Sequence, residues 1–390
     1  MSDSSLLLIK NVRIYGAQMG WILIQHGKIK QFAAGQPPYG IHSNQMMNAG
    51  GWALLPGFID LHAHGAVGCE AMDGDPEGLR KMAAFYASHG VTSWLASTWA
   101  AGNLETQLAL TAIQQVMNEF PISARILGAH LEGPYFNPER SGAQDLAAIR
   151  RADQSEAAVW FNSDIVKLIS LAPEYPENLD LVEDCVQRGI RVAAGHTSAT
   201  YEQMQAGVTR GIRQVTHCFN AMLPFNHREP GTVGAALDLP ELTCELIADN
   251  IHVHPAAMRL LWKSKGVEGI ILITDAVRAA GLPDGEYTIS EGDARKLIVK
   301  DGCARLEDGT LAGSMLTMEM ALRNFQLATG RPLQEIWPVS SKNAANALGL
   351  TAKGRLEPGS DADLVLLDES YNVIVTMVAG MVAYSAPGVL

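Results

Sequence analysis

Between residues 54 and 275 the chain repeats one pattern eight times: a short apolar run of strand type, then a segment with helical spacing or a polar loop. Such alternation specifies βαβ units, because strands buried on both faces lose the polar alternation and parallel neighbours need a crossover. The runs are Leu54–Leu61, Val91–Thr98, Arg125–Glu132, Ile165–Ala172, Arg191–His196, Gln214–His217, Cys244–Asp249 and Gly269–Asp275. Eight of them, over the roughly 250 residues typical of the architecture, predict a closed (β/α)8, TIM-like barrel. A doubly wound open sheet is the rival, but it expects a glycine-rich dinucleotide fingerprint after the first strand, and none follows. Helices are expected at Pro76–His89 behind Asp75, at Asn103–Phe120, at Asn178–Gly189 and at Thr200–Gly211 behind Ser198.

The two ends differ from the middle. Residues 6–53 alternate short apolar runs (Leu6–Ile9, Trp21–Ile24) with turn residues such as Gly27, Gly35, Pro37, Pro38 and Gly40, and carry no helical pattern. The tail from Lys353 has the same character, with strand candidates Asp363–Leu367, Val373–Val378 and Met381–Tyr384. We therefore expect residues 1–53 and 353–390 to form one composite β-sandwich domain, and residues 54–352 to form the catalytic barrel.

In a parallel barrel, side chains at the C-terminal strand ends converge on one face. The first run ends in His62-Ala63-His64, and alternation along a strand points both histidines the same way, toward one ion. The third run ends at Glu132, the fifth at His196, the sixth at His217 and the eighth at Asp275. Each alone reads equally well as a hydrogen-bonded core histidine or a capping carboxylate; six ligand-type groups on one face read as a metal centre. The fourth run ends Ser170-Leu171-Ala172-Pro173, with no lysine to carbamylate, so Glu132 is the best bridging group. One or two divalent ions fit the pattern, zinc first, with iron, cobalt, manganese or nickel as alternatives; such an ion polarises a carbonyl and lowers the pKa of bound water from ~15.7 toward ~7. Asp275 is the candidate proton shuttle, with a plain metal ligand or a helix cap as the alternative reading.

After the sixth run come Asn220-Ala221-Met222 and His227-Arg228-Glu229-Pro230-Gly231, where Arg228 is a candidate for holding a phosphate rather than a surface ion pair. His252 is a candidate substrate contact; His89, His130 and His254 read as structural or ordinary surface residues. In Leu311-Ala312-Gly313-Ser314, Ser314 reads as the cap of a helix over Met315–Leu327, while Gly313 permits close backbone approach of a ligand.

A net charge of −12 excludes general affinity for nucleic acid or anionic membrane. Five scattered cysteines without a CxxC pair suit a reducing cytoplasm, no basic leader precedes the apolar run at Leu6, and no apolar stretch reaches the ~20 residues of a membrane span.

With these residues in view, the chain resembles the N-acetylglucosamine-6-phosphate deacetylases of the amidohydrolase superfamily over nearly its whole length. The matching blocks are PGFIDLHAHG from Pro56, HLEGPYFNPERSGAQD from His130, GHTSAT from Gly195, THCFNAM from Thr216, REPG from Arg228, ITDA from Ile273 and LAGS from Leu311. The resemblance implies Glu132, His196 and His217 as ligands of the main metal, with His62 and His64 making a second metal possible. Metal-activated water would attack the acetamido carbonyl, with Asp275 as general base and then acid. It implies substrate contacts at Ala143, Asn220, Ala221, Arg228, His252 and the Leu311-Ala312-Gly313 backbone, and a homodimer in which His227 and Arg228 reach the neighbouring subunit's site. Gln144 departs from the family, whose members often place there a histidine that touches the acetyl carbonyl; glutamine donates a hydrogen bond but does not titrate. The galactosamine epimer, another amide, or a barrel kept only as a scaffold are the competing readings.

Overall fold

The computed structural model describes residues 6–39, 43, 45–119, 122–291, 293 and 295–389; Gly40, Phe120 and the start of the chain, on which some expectations fell, lie outside them. Eight parallel strands form the central sheet: β1 (Phe58–Ala63), β2 (Val91–Ser97), β3 (Arg125–Glu132), β4 (Val166–Leu171), β5 (Arg191–Ala194), β6 (Gln214–Val215), β7 (Thr243–Ile247) and β8 (Ile270–Ile273). They pair in sequence order, and the seam between β8 and β1 closes through the residues just beyond β8. There the Asp275 amide donates to the His62 carbonyl at 2.8 Å and the Thr274 hydroxyl to Asp60 at 2.6 Å. The result is the expected (β/α)8 barrel.

Helices follow the strands where local chemistry allows them to start. Pro76–Ser88 begins behind Asp75, whose carboxylate accepts the Glu77 and Gly78 amides, and it buries Leu79, Met82, Ala83 and Tyr86 against the barrel. Tyr201–Arg210 is closed by a capping box between Thr200 and Gln203; the cap is Thr200, and not Ser198.

Two sequence expectations need correcting. The run Leu54–Leu61 is two strands: Ala53–Pro56 joins the sheet of the chain ends, and the barrel strand begins only after Gly57, whose amide bonds the Asp363 carbonyl. The fifth, sixth and eighth runs also stop short of their last residues, because the backbone turns left-handed at His196 (φ 46°), His217 (φ 27°) and Asp275 (φ 51°) and leaves the ladder there.

Both chain ends build one eight-stranded mixed sheet, in which Leu364–Leu367 lies between Ala53–Pro56 and Val373–Val378. Side-chain alternation splits its faces: Leu364 and Leu366 enter a core with Ile9, Ile22 and Val375, while Val365 and Leu367 pack on the barrel core. This is the small sandwich-type domain expected from the ends. A three-stranded antiparallel sheet (Gly285–Thr288, Lys296–Lys300, Cys303–Leu306) was not anticipated; it follows β8 and covers one side of the barrel mouth.

Candidate active site

The strand-end residues meet in one buried group. His62 Nε2 lies 3.2 Å from His64 Nε2 and 3.5 Å from Glu132 Oε1. His196 Nε2 and His217 Nε2 approach the same Glu132 oxygen at 3.2 and 3.0 Å, and each other at 3.1 Å. Asp275 Oδ1 lies 3.2 Å from His64 Nε2 and 3.5 Å from His62 Nε2. Three of the six sit on left-handed backbone immediately past a strand, which turns each side chain over the barrel axis; such strain persists only where the surroundings enforce it.

The electrostatics favour positive charge within this group. Burial would raise the Glu132 and Asp275 carboxyls, but the facing histidines hold both below their ordinary range, Glu132 well below. Burial opposes protonation of His64, yet Asp275 and Glu132 outweigh it and push its pKa up to about 9; His62 and His217 move the same way. Two sets of three ligand atoms, His62/His64/Glu132 and Glu132/His196/His217, each lie within 4.8 Å of one another and share Glu132, as two adjacent divalent-ion sites would.

Outer contacts orient these ligands. His196 Nδ1 donates to the Arg140 carbonyl at 2.8 Å, leaving Nε2 with a free lone pair. His62 Nδ1 faces Glu245 Oε2 at 3.0 Å, and Glu245 Oε1 accepts from Gln214 at 2.6 Å. His130, expected to be structural, sits between Ser97 and Ser170 with its ring edge-on to His62. His89 pairs with Glu319, and His254 caps the helix Pro255–Lys265.

Above the group lies a cavity of about 380 Å³. Of the anticipated substrate contacts, Ala143, Gln144, Asn220, Ala221, His252, Leu311 and Gly313 border it; Ala312 packs away from it, into the apolar cluster behind. His252 is held by Asp249 through Nδ1 at 2.6 Å. Gln144 is engaged at both ends: its carbonyl accepts the Ala100 amide at 2.7 Å, and its amide donates to Glu132 Oε2. His227 and Arg228 are exposed, bonded to each other at 3.1 Å, and do not border their own chain's cavity.

The LAGS motif departs from the sequence reading at Ser314. Ser314 does not cap a helix; the helix starts at Met318, and the Ser314 hydroxyl donates to the Thr274 carbonyl. Gly313 (φ 58°) packs against the end of β8, where a Cβ would stand 2.3 Å from Val277 and 2.7 Å from the Asp275 carbonyl. The motif fastens the loop to Asp275.

Trp99, Gly142, Arg305 and Thr310 also border the cavity and were not anticipated. Trp99 had a signal, lying one residue past the second strand run; Glu245 had one too, as the charged residue inside an apolar run.

Residues 53–383 match the amidohydrolase family. The chain is 39% identical over 386 residues to an N-acetylglucosamine-6-phosphate deacetylase of Lysinibacillus sphaericus, covering 96% of this chain and 97% of that one. It is 36% identical to the enzyme of the same name from Bacillus subtilis (strain 168), covering 97% of each. It is 38% identical to an N-acetylgalactosamine-6-phosphate deacetylase of Escherichia coli O157:H7, over 85% of this chain and 87% of that one. Among solved structures, the N-acetylglucosamine-6-phosphate deacetylase of Thermotoga maritima superposes with a TM-score of 0.87 at 35% identity, covering 97% of this chain and 100% of that one. An aspartate-to-alanine variant of the Mycobacterium smegmatis enzyme, in complex with N-acetyl-D-glucosamine 6-phosphate, gives 0.87 at 30% identity, covering 98% and 100%.

Proposed function

The chain belongs to the amidohydrolase family, and from that membership we infer that its cavity hydrolyses N-acetyl-D-glucosamine 6-phosphate to D-glucosamine 6-phosphate and acetate. The observation that carries the reading is the joining of an ionised Asp275 to two ligand triads in one cavity, in a chain that matches deacetylases of this substrate nearly end to end.

Glu132, His196 and His217 hold the principal divalent ion, zinc foremost, and His62 and His64 with Glu132 hold a second; bound there, such an ion supplies Lewis acidity and lowers the pKa of water. Asp275 does the proton work. Its carboxyl is ionised at neutral pH, so it accepts the proton of the attacking water and returns it to the amide nitrogen as the carbon–nitrogen bond breaks. One water is consumed, and the amine and acetate leave. Gln144 donates to Glu132 and so positions the shared ligand, a different task from contacting the acetyl carbonyl.

Asn220, Ala221, His252 and the backbone at Leu311 and Gly313 orient the sugar. We assign the phosphate to Arg228 and His227 of a neighbouring subunit in a homodimer; their exposure and their distance from their own cavity support this. Among the described residues no helix is long and apolar enough to cross a membrane, and the five cysteines are unpaired, which supports a cytoplasmic setting.

Relatives named for each epimer exist, and two named for the glucosamine sugar match over 96% and 97% of the chain, against 85% for the one named for the galactosamine sugar. Acetate release from the two epimeric sugar phosphates tests the assignment: the glucosamine form is expected to react at least about tenfold faster in kcat/KM. Preference for the galactosamine form would overturn it.

A further inference from the structure

The acyl carbon of the substrate has three substituents, and the cavity gives a direction to each. On the deacetylase reading its oxygen faces the metal-ligand group, with Asp275 in reach of the nitrogen to which it returns the proton. Its nitrogen carries the sugar, which must lead to the partly exposed rim at Asn220, His252 and Leu311. The acyl chain is left with the buried wall, where Trp99 (9% exposed) and Ala143 (6% exposed) lie. These two belong to one apolar cluster that ends at the cavity.

Trp99 is fixed on two sides. Its ring stacks on His64 at 4.2 Å between centroids and 24° between planes, and its Nε1 donates to Glu70 Oε1 at 3.0 Å. Beyond the indole lies a second cavity of about 380 Å³, apolar next to Trp99 at Ala100, Met72 and Ile289 and opening outward between Glu105, Asp145 and Arg295. The indole is thus a shared wall: the catalytic cavity ends on it and the second cavity begins behind it.

We propose that Trp99, with Ala143, receives the acyl methyl and sets the length of N-acyl chain that the enzyme accepts. The inference rests on the deacetylase reading. A rigid wall admits a methyl and rejects longer chains, because each methylene must displace a side chain held by stacking and a hydrogen bond.

The test compares kcat/KM for N-acetyl-, N-propanoyl- and N-butanoyl-glucosamine 6-phosphate in the metal-loaded wild type, Trp99→Ala and Trp99→Leu, with bound metal quantified for each. The wild type is expected to lose about tenfold or more per added methylene. In Trp99→Ala the butanoyl-to-acetyl ratio rises about tenfold or more as the two cavities join, and Trp99→Leu falls between. Equal use of all three chains by the wild type would overturn the proposal, as would variants whose rates fall alike for every chain, which would make Trp99 only a support for His64. A wild type that releases no acetate at all would instead sink the deacetylase reading itself.

Discussion

Asp275 is almost fully buried, and neighbours rather than solvent favour its ionised form: His62 and His64 face it, and a cation on those two histidines would supply the positive charge there. Glu70 is the opposite case. It is buried beside Trp99 and His64, and burial pushes its carboxyl up to about 8 from an ordinary 4.5. The folded protein therefore keeps a proton that the unfolded chain releases, so stability contributed by this group is greatest below about pH 4.5 and declines as pH rises toward about 8. Glu70→Gln, which keeps an acceptor for Trp99 Nε1, is expected to flatten that decline; urea unfolding at pH 5 and pH 8 measures it, and an unchanged pH dependence would count against the assignment. All six ligand-type residues were legible because each closes a strand run in the sequence. The left-handed backbone of His196, His217 and Asp275 was not, since nothing in a His or Asp in the sequence announces a positive φ that only the assembled barrel enforces.

At the scale of elements, the eight barrel strands could be read from apolar runs, and the ends of the fifth, sixth and eighth were misjudged by up to two residues because their ligand-type residues look like strand but lie past the ladder. The split at Gly57 and the sheet over residues 285–306 were missed. In the sheet, Lys296–Lys300 alternates exposed and buried residues as a half-covered strand should, but its apolar partners are distant in the chain. The loop that follows is tied to β8 through Gly313, Ser314 and the Asp275 backbone. Gly313→Ala places a methyl against Val277 and the Asp275 carbonyl on left-handed backbone, with a conformational cost of about 1–2 kcal/mol. We expect lower kcat through displaced Asp275 with metal content retained; a purely thermal destabilisation with normal kcat would contradict the coupling.

For the whole molecule, the acidic net charge places the burden of binding a phosphate on a few local cations, and Arg228 lies outside its own chain's cavity. The dimer proposal makes a sharp demand. When Arg228→Ala and Asp275→Asn subunits are unfolded and reassembled together in equal amounts, half the dimers are mixed and each has one complete site, so about a quarter of wild-type activity should return. No recovery, in samples shown to be dimeric and mixed, would place Arg228 in its own subunit's chemistry or outside it altogether. The proposed dimer has no trace in composition or spacing; it entered only through resemblance, because a subunit interface has no periodicity of its own.

The central claim is amide hydrolysis driven by Asp275 in a two-triad metal cavity. Its most direct test measures acetate released from N-acetyl-D-glucosamine 6-phosphate by wild type and by Asp275→Asn, with metal quantified in the same samples. The account predicts turnover by wild type, and a loss of about 10²–10⁴-fold in kcat in a variant that still binds metal. Metal-loaded wild type that releases no acetate, or an Asp275→Asn variant as fast as wild type, would contradict it.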